Sequence, residues 1–308
     1  LMCSSLDHIR AIARVGDAEE RLLVSIQRPI VLLEKREHTA IAESVSPRNR
    51  YFGIMLPYTP LHHLLLDSGF LALVMTSANL SEEPIAIDNE DAFKRLGGIA
   101  DYFLTHNRDI YLRSDDSILK HTAGHKRYIR RSRGFVPIPI FLNRPVPAIL
   151  ACGAELKNTI CLTKGDKAFL SQHIGDLENM MTLDFFKLTV THLQRILEIQ
   201  PEIIACDMHP DYLSTRFANE QKNTRLIEVQ HHHAHIVSCM AEQQLEDPVV
   251  IGTVILSGVL AATAFTLFVV PVAYNLLARR TGSPGPSRPT SRSTTRRRCL
   301  WRTHNIKK

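Results

Sequence analysis

Leu183-Asp184-Phe185-Phe186-Lys187-Leu188-Thr189-Val190-Thr191-His192-Leu193-Gln194-Arg195-Ile196-Leu197-Glu198-Ile199, then Gln200-Pro201-Glu202 and Ile203-Ile204-Ala205-Cys206-Asp207, is the stretch that decides the fold class. Phe186, Val190, Leu193 and Leu197 recur every three or four residues, which predicts an amphipathic helix over 183–199. Pro201 cannot continue that helix, because it lacks an N–H and its ring clashes with the preceding turn. Ile203–Cys206 is a short apolar run ending at a charge and reads as a buried strand. Upstream, the apolar runs Ala148–Cys152 and Thr159–Leu162 flank Gly153-Ala154-Glu155-Leu156-Lys157-Asn158, a hairpin-like pattern, with Ala168-Phe169-Leu170 as a third strand. Strand, helix and strand in this order predict an α/β fold.

Downstream, the apolar run Leu226–Val229 gives way to a helical pattern at His231-His232-His233-Ala234-His235. A helix starting near His231 puts His231 and His235 on one face, where two neutral imidazoles can hold one divalent metal such as zinc or iron. The competing reading is a polar helix start with exposed histidines.

Residues 1–143 mix strand-like and short helical patterns, again α/β. Arg28–Leu33 and Leu71–Met75 read as strands, Gly53–Pro60 as a strand and turn, Leu61–Ser68 and Glu90–Gly97 as helices, and Tyr102–Leu104 and Ile110–Tyr111 as strand pieces. Phe135-Val136-Pro137-Ile138-Pro139-Ile140 is a proline-broken extended segment. Thr76-Ser77-Ala78-Asn79 follows a strand, and its hydroxyl and amide groups can bind phosphate, carbonyl or adenine edges. Asp115-Asp116 can hold a magnesium ion beside a triphosphate, and Arg130, Arg131 and Arg133 can neutralise phosphates. Together these make a nucleotide pocket; each alone is an ordinary turn, loop or charged strand edge.

The chain has 308 residues, enough for about two domains. Its formal charge of +6 misleads: ten of 37 basic residues lie in 279–308, leaving 27 against 31 acidic residues in the body. A nucleic-acid role is therefore not implied by charge. Six scattered cysteines without a C-x-x-C pair suggest reduced thiols and a cytoplasmic protein. Leu1 is not an initiator and no signal peptide follows, so the chain reads as starting mid-domain. From Val249 to Ala278 there is no charge, and Arg279-Arg280 closes the run; 252–280 reads as a transmembrane helix. Residues 281–308 read as a disordered basic tail.

Several long motifs carry a family resemblance: Met55-Leu56-Pro57-Tyr58-Thr59-Pro60-Leu61-His62, Val74–Ser81, Arg113-Ser114-Asp115-Asp116-Ser117 and Ile129–Pro137 in the first zone. Gly153–Thr159, Ser171-Gln172-His173-Ile174-Gly175-Asp176-Leu177-Glu178, Asp207-Met208-His209-Pro210-Asp211-Tyr212 and Val229–His235 follow in the second. In this order they resemble the HypF-type hydrogenase maturation carbamoyltransferases: a YrdC-like domain over 1–143, missing its start, then the first half of a Kae1-like, actin-like ATPase domain over 146–251.

The resemblance implies that carbamoyl phosphate and ATP yield a carbamoyl adenylate, whose carbamoyl group passes to the C-terminal cysteine of a maturation partner for the cyanide ligand of nickel–iron hydrogenase. Asp115, Asp116, Arg130, Arg131 and Arg133 would be catalytic. Thr76, Ser77, Ala78, Asn79, Lys157, Asn158 and Thr159 would bind ATP, with magnesium. His231 and His235 would hold the metal. YrdC-fold analogy adds double-stranded RNA as a partner. Asp207 is a candidate support for the metal site or a helix cap, and His173 a candidate lining residue.

Past Ile251-Gly252 the pattern stops, and Gly258–Arg280 resembles the last transmembrane helix of a resistance–nodulation–division efflux pump, as in a fused or misassembled reading frame. Asp247 is the last acidic residue, so the third metal ligand of the pattern is missing and the chain alone is expected not to complete carbamoyl transfer. Two other readings stay open: a threonylcarbamoyl-adenylate synthase-like protein of tRNA modification, and a membrane-anchored, transporter-derived fusion.

Overall fold

A computed structural model describes residues 1–242 except Glu82 and Asn223. The expected membrane helix, the efflux-pump resemblance, the basic tail and the last residues of the 146–251 domain lie outside the described residues. Among the described residues no helix is long and apolar enough to cross a membrane.

In chain order the elements are β1 (Met2–Cys3), α1 (Leu6–Ile12), α2 (Asp17–Val24), β2 (Ile30–Glu34), β3 (Tyr51–Ile54), α3 (Pro60–Leu66), β4 (Ala72–Leu73), α4 (Asn89–Leu96), β5 (Ile118–Thr122) and β6 (His125–Arg130). They continue with β7 (Ile140–Val146), β8 (Ile149–Ala151), β9 (Cys161–Leu170), α5 (Met180–Leu197), β10 (Ile203–Asp207), α6 (Leu213–Glu220), β11 (Arg225–Val229) and α7 (His231–Glu242).

The first lobe is a sheet of order β3-β2-β5-β6 beside the small pair β1-β4. β2 buries every second residue, so Val31 and Leu33 meet Phe52 and Ile54 of β3 and Ile9, Ile12 and Leu23 of the two covering helices. α1 and α2 have no counterpart in the sequence reading. They are one to two turns long, too short for a periodic signal, and are held by capping: Ser5 accepts from the His8 N–H, and Glu19 from the Gly16 N–H.

The second lobe is a mixed sheet of order β11-β10-β8-β9-β7. β8, β10 and β11 run parallel, and β9 returns antiparallel beside β8 and β7. α5 starts where Asn179 accepts from the Thr182 N–H and ends at Glu198 in the left-handed conformation, three residues before Pro201. Its Leu183, Phe186, Val190 and Leu193 pack on Leu150, Leu162 and Ile204 of the sheet. Residues 168–170 are not a separate strand; they finish the ten-residue β9. The domain boundary read near 143–146 falls inside β7, which is already an edge strand of the second sheet.

Tyr102–Leu104 and Ile110–Tyr111 form no strand. Two of their aromatic rings find partners instead: Phe103 meets Phe93 edge-on at 5.0 Å, and Tyr111 lies 5.3 Å from the ring of His192 on α5. Leu112 packs on the second lobe's core. The first lobe's loop is thus clasped by the second lobe.

Candidate functional site

The parallel register of β10 and β11 pairs Asp207 with Val229, so both strands end side by side. His231 opens α7 two residues later, and its Nδ1 lies 2.7 Å from Asp207 Oδ2. One helical turn on, His235 Nε2 lies 3.1 Å from His231 Nε2. Asp207 is anchored in turn, its Oδ1 accepting from the His209 N–H at 2.9 Å. This is the arrangement in which a carboxylate fixes one ring nitrogen and leaves the other free to ligate.

A tetrahedral zinc ion with zinc–nitrogen bonds of about 2.0–2.1 Å would separate its two nitrogens by about 3.3 Å. The histidine pair therefore fits a metal as two nitrogen donors. Among the described residues no cluster of three or more His, Cys, Asp or Glu groups surrounds one point. Asp207 does not complete the set, because it sits on the far nitrogen of His231.

The loop between β8 and β9 has a fixed shape. Gly153 has φ +69°, and a Cβ there would collide with the Thr159 carbonyl oxygen and the Asn158 amide. Lys157 also takes a left-handed φ, and its N–H donates to Asp176 Oδ1 at 2.6 Å. Asn158 points inward. It is 2% exposed, and its amide nitrogen donates to the carbonyl oxygens of Cys152 and Ala154. Glu155 accepts from the Leu213 N–H at 2.8 Å, tying the loop to the start of α6. Burial raises the Glu155 pKa, opposed by the backbone donors of Leu213 and Ser214. Of the loop residues read as nucleotide-binding, Lys157 and Thr159 line the cavity described next, whereas Asn158 knits the loop together.

A cavity of about 680 Å³ lies between the lobes. Ser77, Asn79, Arg113, Asp115 and Arg130 line it from the first lobe, and Lys157, Thr159, His173 and Asp176 from the second. Thr76 and Ala78 are outside its lining. The Ala78 carbonyl instead accepts from the Ala86 N–H at 2.8 Å, closing the loop that presents Ser77 and Asn79.

The acidic pair and the three arginines separate into two groups. Arg130 Nη1 lies 3.4 Å from Asp115 Oδ1 at the cavity wall. Arg133 is fully engaged elsewhere: Nε on Asp116 at 2.6 Å, Nη1 and Nη2 on the carbonyl oxygens of Gln27 and Arg28, its face 3.5 Å from the Tyr58 ring. Asp116 and Arg133 therefore fasten the first lobe internally. Arg131 lines the cavity but gives Nε and Nη2 to the carbonyl oxygens of Phe135 and Ile138. The two carboxylates of Asp115 and Asp116 are held by different arginines and do not converge on one ion.

His173 follows β9 and reaches the cavity. Its pKa is lowered, first by burial and then by Arg130, against Asp115 and Asp176. It is thus a neutral imidazole at pH 7 amid charges from both lobes. Arg113, absent from the candidate set, shares this wall; in the sequence it opens the Arg113–Ser117 motif, two residues before Asp115.

The HypF Kae1-like domain profile matches residues 144–242, and the profile described as telomere recombination, of the Sua5/YciO/YrdC type, matches 1–132. The chain is 45% identical over 256 residues to carbamoyltransferase HypF of Rhizobium leguminosarum bv. viciae, covering 81% of this chain and 34% of that protein. It is 46% identical over 257 residues to carbamoyltransferase HypF2 of Cupriavidus necator, covering 77% and 32%. The chain thus spans about a third of the length of these curated relatives. The crystal structure of full-length HypF in the phosphate- and nucleotide-bound form superposes with a TM-score of 0.76 at 46% identity, over 80% of this chain and 39% of that one. HypF of T. kodakarensis gives 0.74 at 39% identity, over 80% and 33%. The tRNA-modification and transporter readings are not favoured by these matches. Two adjoining profiles and the shared fold make the described part of this chain a HypF-type pair, a YrdC-like domain followed by a HypF Kae1-like domain.

Proposed function

We propose that the two lobes activate and hand on a carbamoyl group, as parts of a HypF-type carbamoyltransferase. The observation that carries this reading is a shared cavity lined by Ser77, Asn79 and Arg130 of the first lobe and Lys157 and Thr159 of the second. Carbamate derived from carbamoyl phosphate attacks the α-phosphorus of ATP, and pyrophosphate leaves. The thiolate of a hydrogenase maturation partner's C-terminal cysteine then attacks the carbamoyl carbon, and AMP leaves. The first step gives a poorly reactive carbamate a good leaving group.

In this reading Ser77 and Asn79 orient the nucleotide, and Arg130 with Lys157 offsets phosphate charge. Asp115 holds Arg130, and Thr159 offers a hydroxyl to the phosphates. The neutral imidazole of His173 can accept a proton from an incoming thiol. His231 and His235 would hold a zinc or iron ion, with Asp207 fixing the ring of His231. A metal bound there supplies Lewis-acid polarisation of a carbonyl or phosphoryl oxygen. Magnesium accompanies ATP through the phosphates, since Asp115 and Asp116 face apart.

Calorimetry with the 308-residue chain should show one ATP site, weakened about tenfold or more by Arg130→Ala. Unchanged ATP affinity in that variant, or no ATP binding at all, would defeat the reading.

A further inference from the structure

Arg113 is held at the cavity wall by a backbone carbonyl oxygen and an aromatic ring. Its Nε donates to the Ile85 carbonyl oxygen at 2.6 Å. Its guanidinium carbon lies 5.4 Å from the ring centroid of Phe185 on α5. The preceding residues are fastened to the second lobe: the Tyr111 hydroxyl accepts from Arg195 Nη2 at 2.8 Å, and Leu112 packs on the core. The side chain lines the shared cavity.

Among the described residues no carboxylate pairs with Arg113. Of the other arginines near this wall, Arg95 pairs with Glu83 and Asp91, Arg130 with Asp115 and Arg133 with Asp116, while Arg131 gives Nε and Nη2 to backbone carbonyl oxygens. A guanidinium carries five N–H donors, and only the one on Nε has a described partner. Burial lowers the pKa of Arg113, Arg95 lowers it further, and Asp91 opposes both. A partly buried cation with no carboxylate in contact is stabilised when an anion docks on it. With Nε tied to the backbone and one face toward Phe185, the terminal amino groups remain for a planar, two-point contact. Across the cavity Lys157 brings a second cation from the other lobe.

We propose that Arg113 is an anion-binding residue of the cleft, gripping a phosphoryl group between the two lobes together with Lys157. The proposal rests on the cleft being the nucleotide site. Its ligand is the phosphate of a nucleotide or acyl adenylate, or a free phosphate released in the same cavity.

The test is calorimetry of the 308-residue chain, Arg113→Gln and Arg113→Lys with ATP, AMP, inorganic phosphate and pyrophosphate, alongside urea unfolding without ligand. The wild type is expected to bind pyrophosphate and ATP. Arg113→Gln should bind both at least about tenfold more weakly, yet unfold at the same or higher urea concentration, since the unpaired charge is gone. A purely structural arginine would give the opposite pattern: lower stability and unchanged anion affinity, which overturns the proposal. Arg113→Lys keeps the charge but loses the two-point contact, so wild-type affinity in that variant also overturns it, even if Arg113→Gln does not fold.

If phosphate and pyrophosphate bind through Arg113 while ATP and AMP do not, the anion site stands and the nucleotide reading falls. If ATP binds independently of Arg113, the nucleotide reading stands and this proposal falls. No binding of any of the four ligands overturns both.

Discussion

Replacing Asn158 separates a residue that shapes the loop between β8 and β9 from one that touches a ligand. Its side-chain nitrogen donates to the carbonyl oxygens of Cys152 and Ala154, and its backbone exchanges bonds with Gly175 and Ile174, 2.9 Å each. Asn158→Ala removes two net hydrogen bonds at about 0.5–1.5 kcal/mol each and strands a buried carbonyl oxygen, at about 1–3 kcal/mol. Asn158 Oδ1 is itself buried without a partner, so the same change also removes one orphan acceptor. The balance is a loss of about 2–3 kcal/mol. Asn158→Asp should be worse, because it replaces the donor by a carboxylate oxygen facing two carbonyl oxygens. Its introduced carboxyl would have a folded pKa above the unfolded one. Its stability is therefore present at low pH and lost as pH rises through the folded value. With a urea slope of about 1–3 kcal/mol/M, the Asn158→Ala midpoint should fall by about 0.7–3 M. Far-UV circular dichroism in urea reads both variants. The reasoning is refuted if Asn158→Asp is as stable as Asn158→Ala at pH 7. It is also refuted if Asn158→Ala unfolds like the wild type while losing ATP affinity, which would make the side chain a ligand contact.

Asp207→Ala should weaken zinc binding about 10–100-fold in competition with a chromophoric chelator, and Asp207→Asn less, because an amide oxygen can still accept from His231 Nδ1; equal affinities for all three proteins would remove Asp207 from the site. His192 has a pKa lowered first by burial and then by Arg195, from 6.5. Its contribution is intact above pH 6.5 and is lost as pH falls toward the folded value, so His192→Gln should lose less stability than the wild type between pH 7.5 and 5.5; parallel urea midpoints at the two pH values would exclude this.

The second lobe was readable where its signals were local. The 3.6-residue repeat of Phe186, Val190 and Leu193 with Pro201 behind it bounded α5 to within a few residues, because one helix face had to be apolar to cover a sheet. The start of α7 at His231 was legible because the apolar run before it ended as a strand must. The strand pieces at 102–104 and 110–111 misled, because an apolar pair has no periodicity: Phe103 and Tyr111 meet single rings, Tyr102 and Leu104 stay exposed, and no ladder forms. The same limit hid α1 and α2, whose one or two turns rest on caps, and α6, which has no cap of its own and is held by Glu155 and tertiary packing.

For the site, the motifs named which segments gather but not which side chains face the cavity. Asp115 and Asp116 are adjacent in sequence, so neither spacing nor charge distinguishes them. The fold turns Asp115 to the cleft and Asp116 to Arg133. Arg130, Arg131 and Arg133 look interchangeable in a row, yet only backbone carbonyls brought from Gln27, Arg28, Phe135 and Ile138 decide which guanidinium is spent on structure. By itself the sequence determined the α/β class, the two-part organisation and the helical face shared by His231 and His235, all consequences of short-range periodicity and chain order. Tertiary structure alone decided that Asp207 meets His231, that Asn158 turns inward and that Arg113 forms no ion pair among the described residues, because each depends on groups brought together from distant points of the chain.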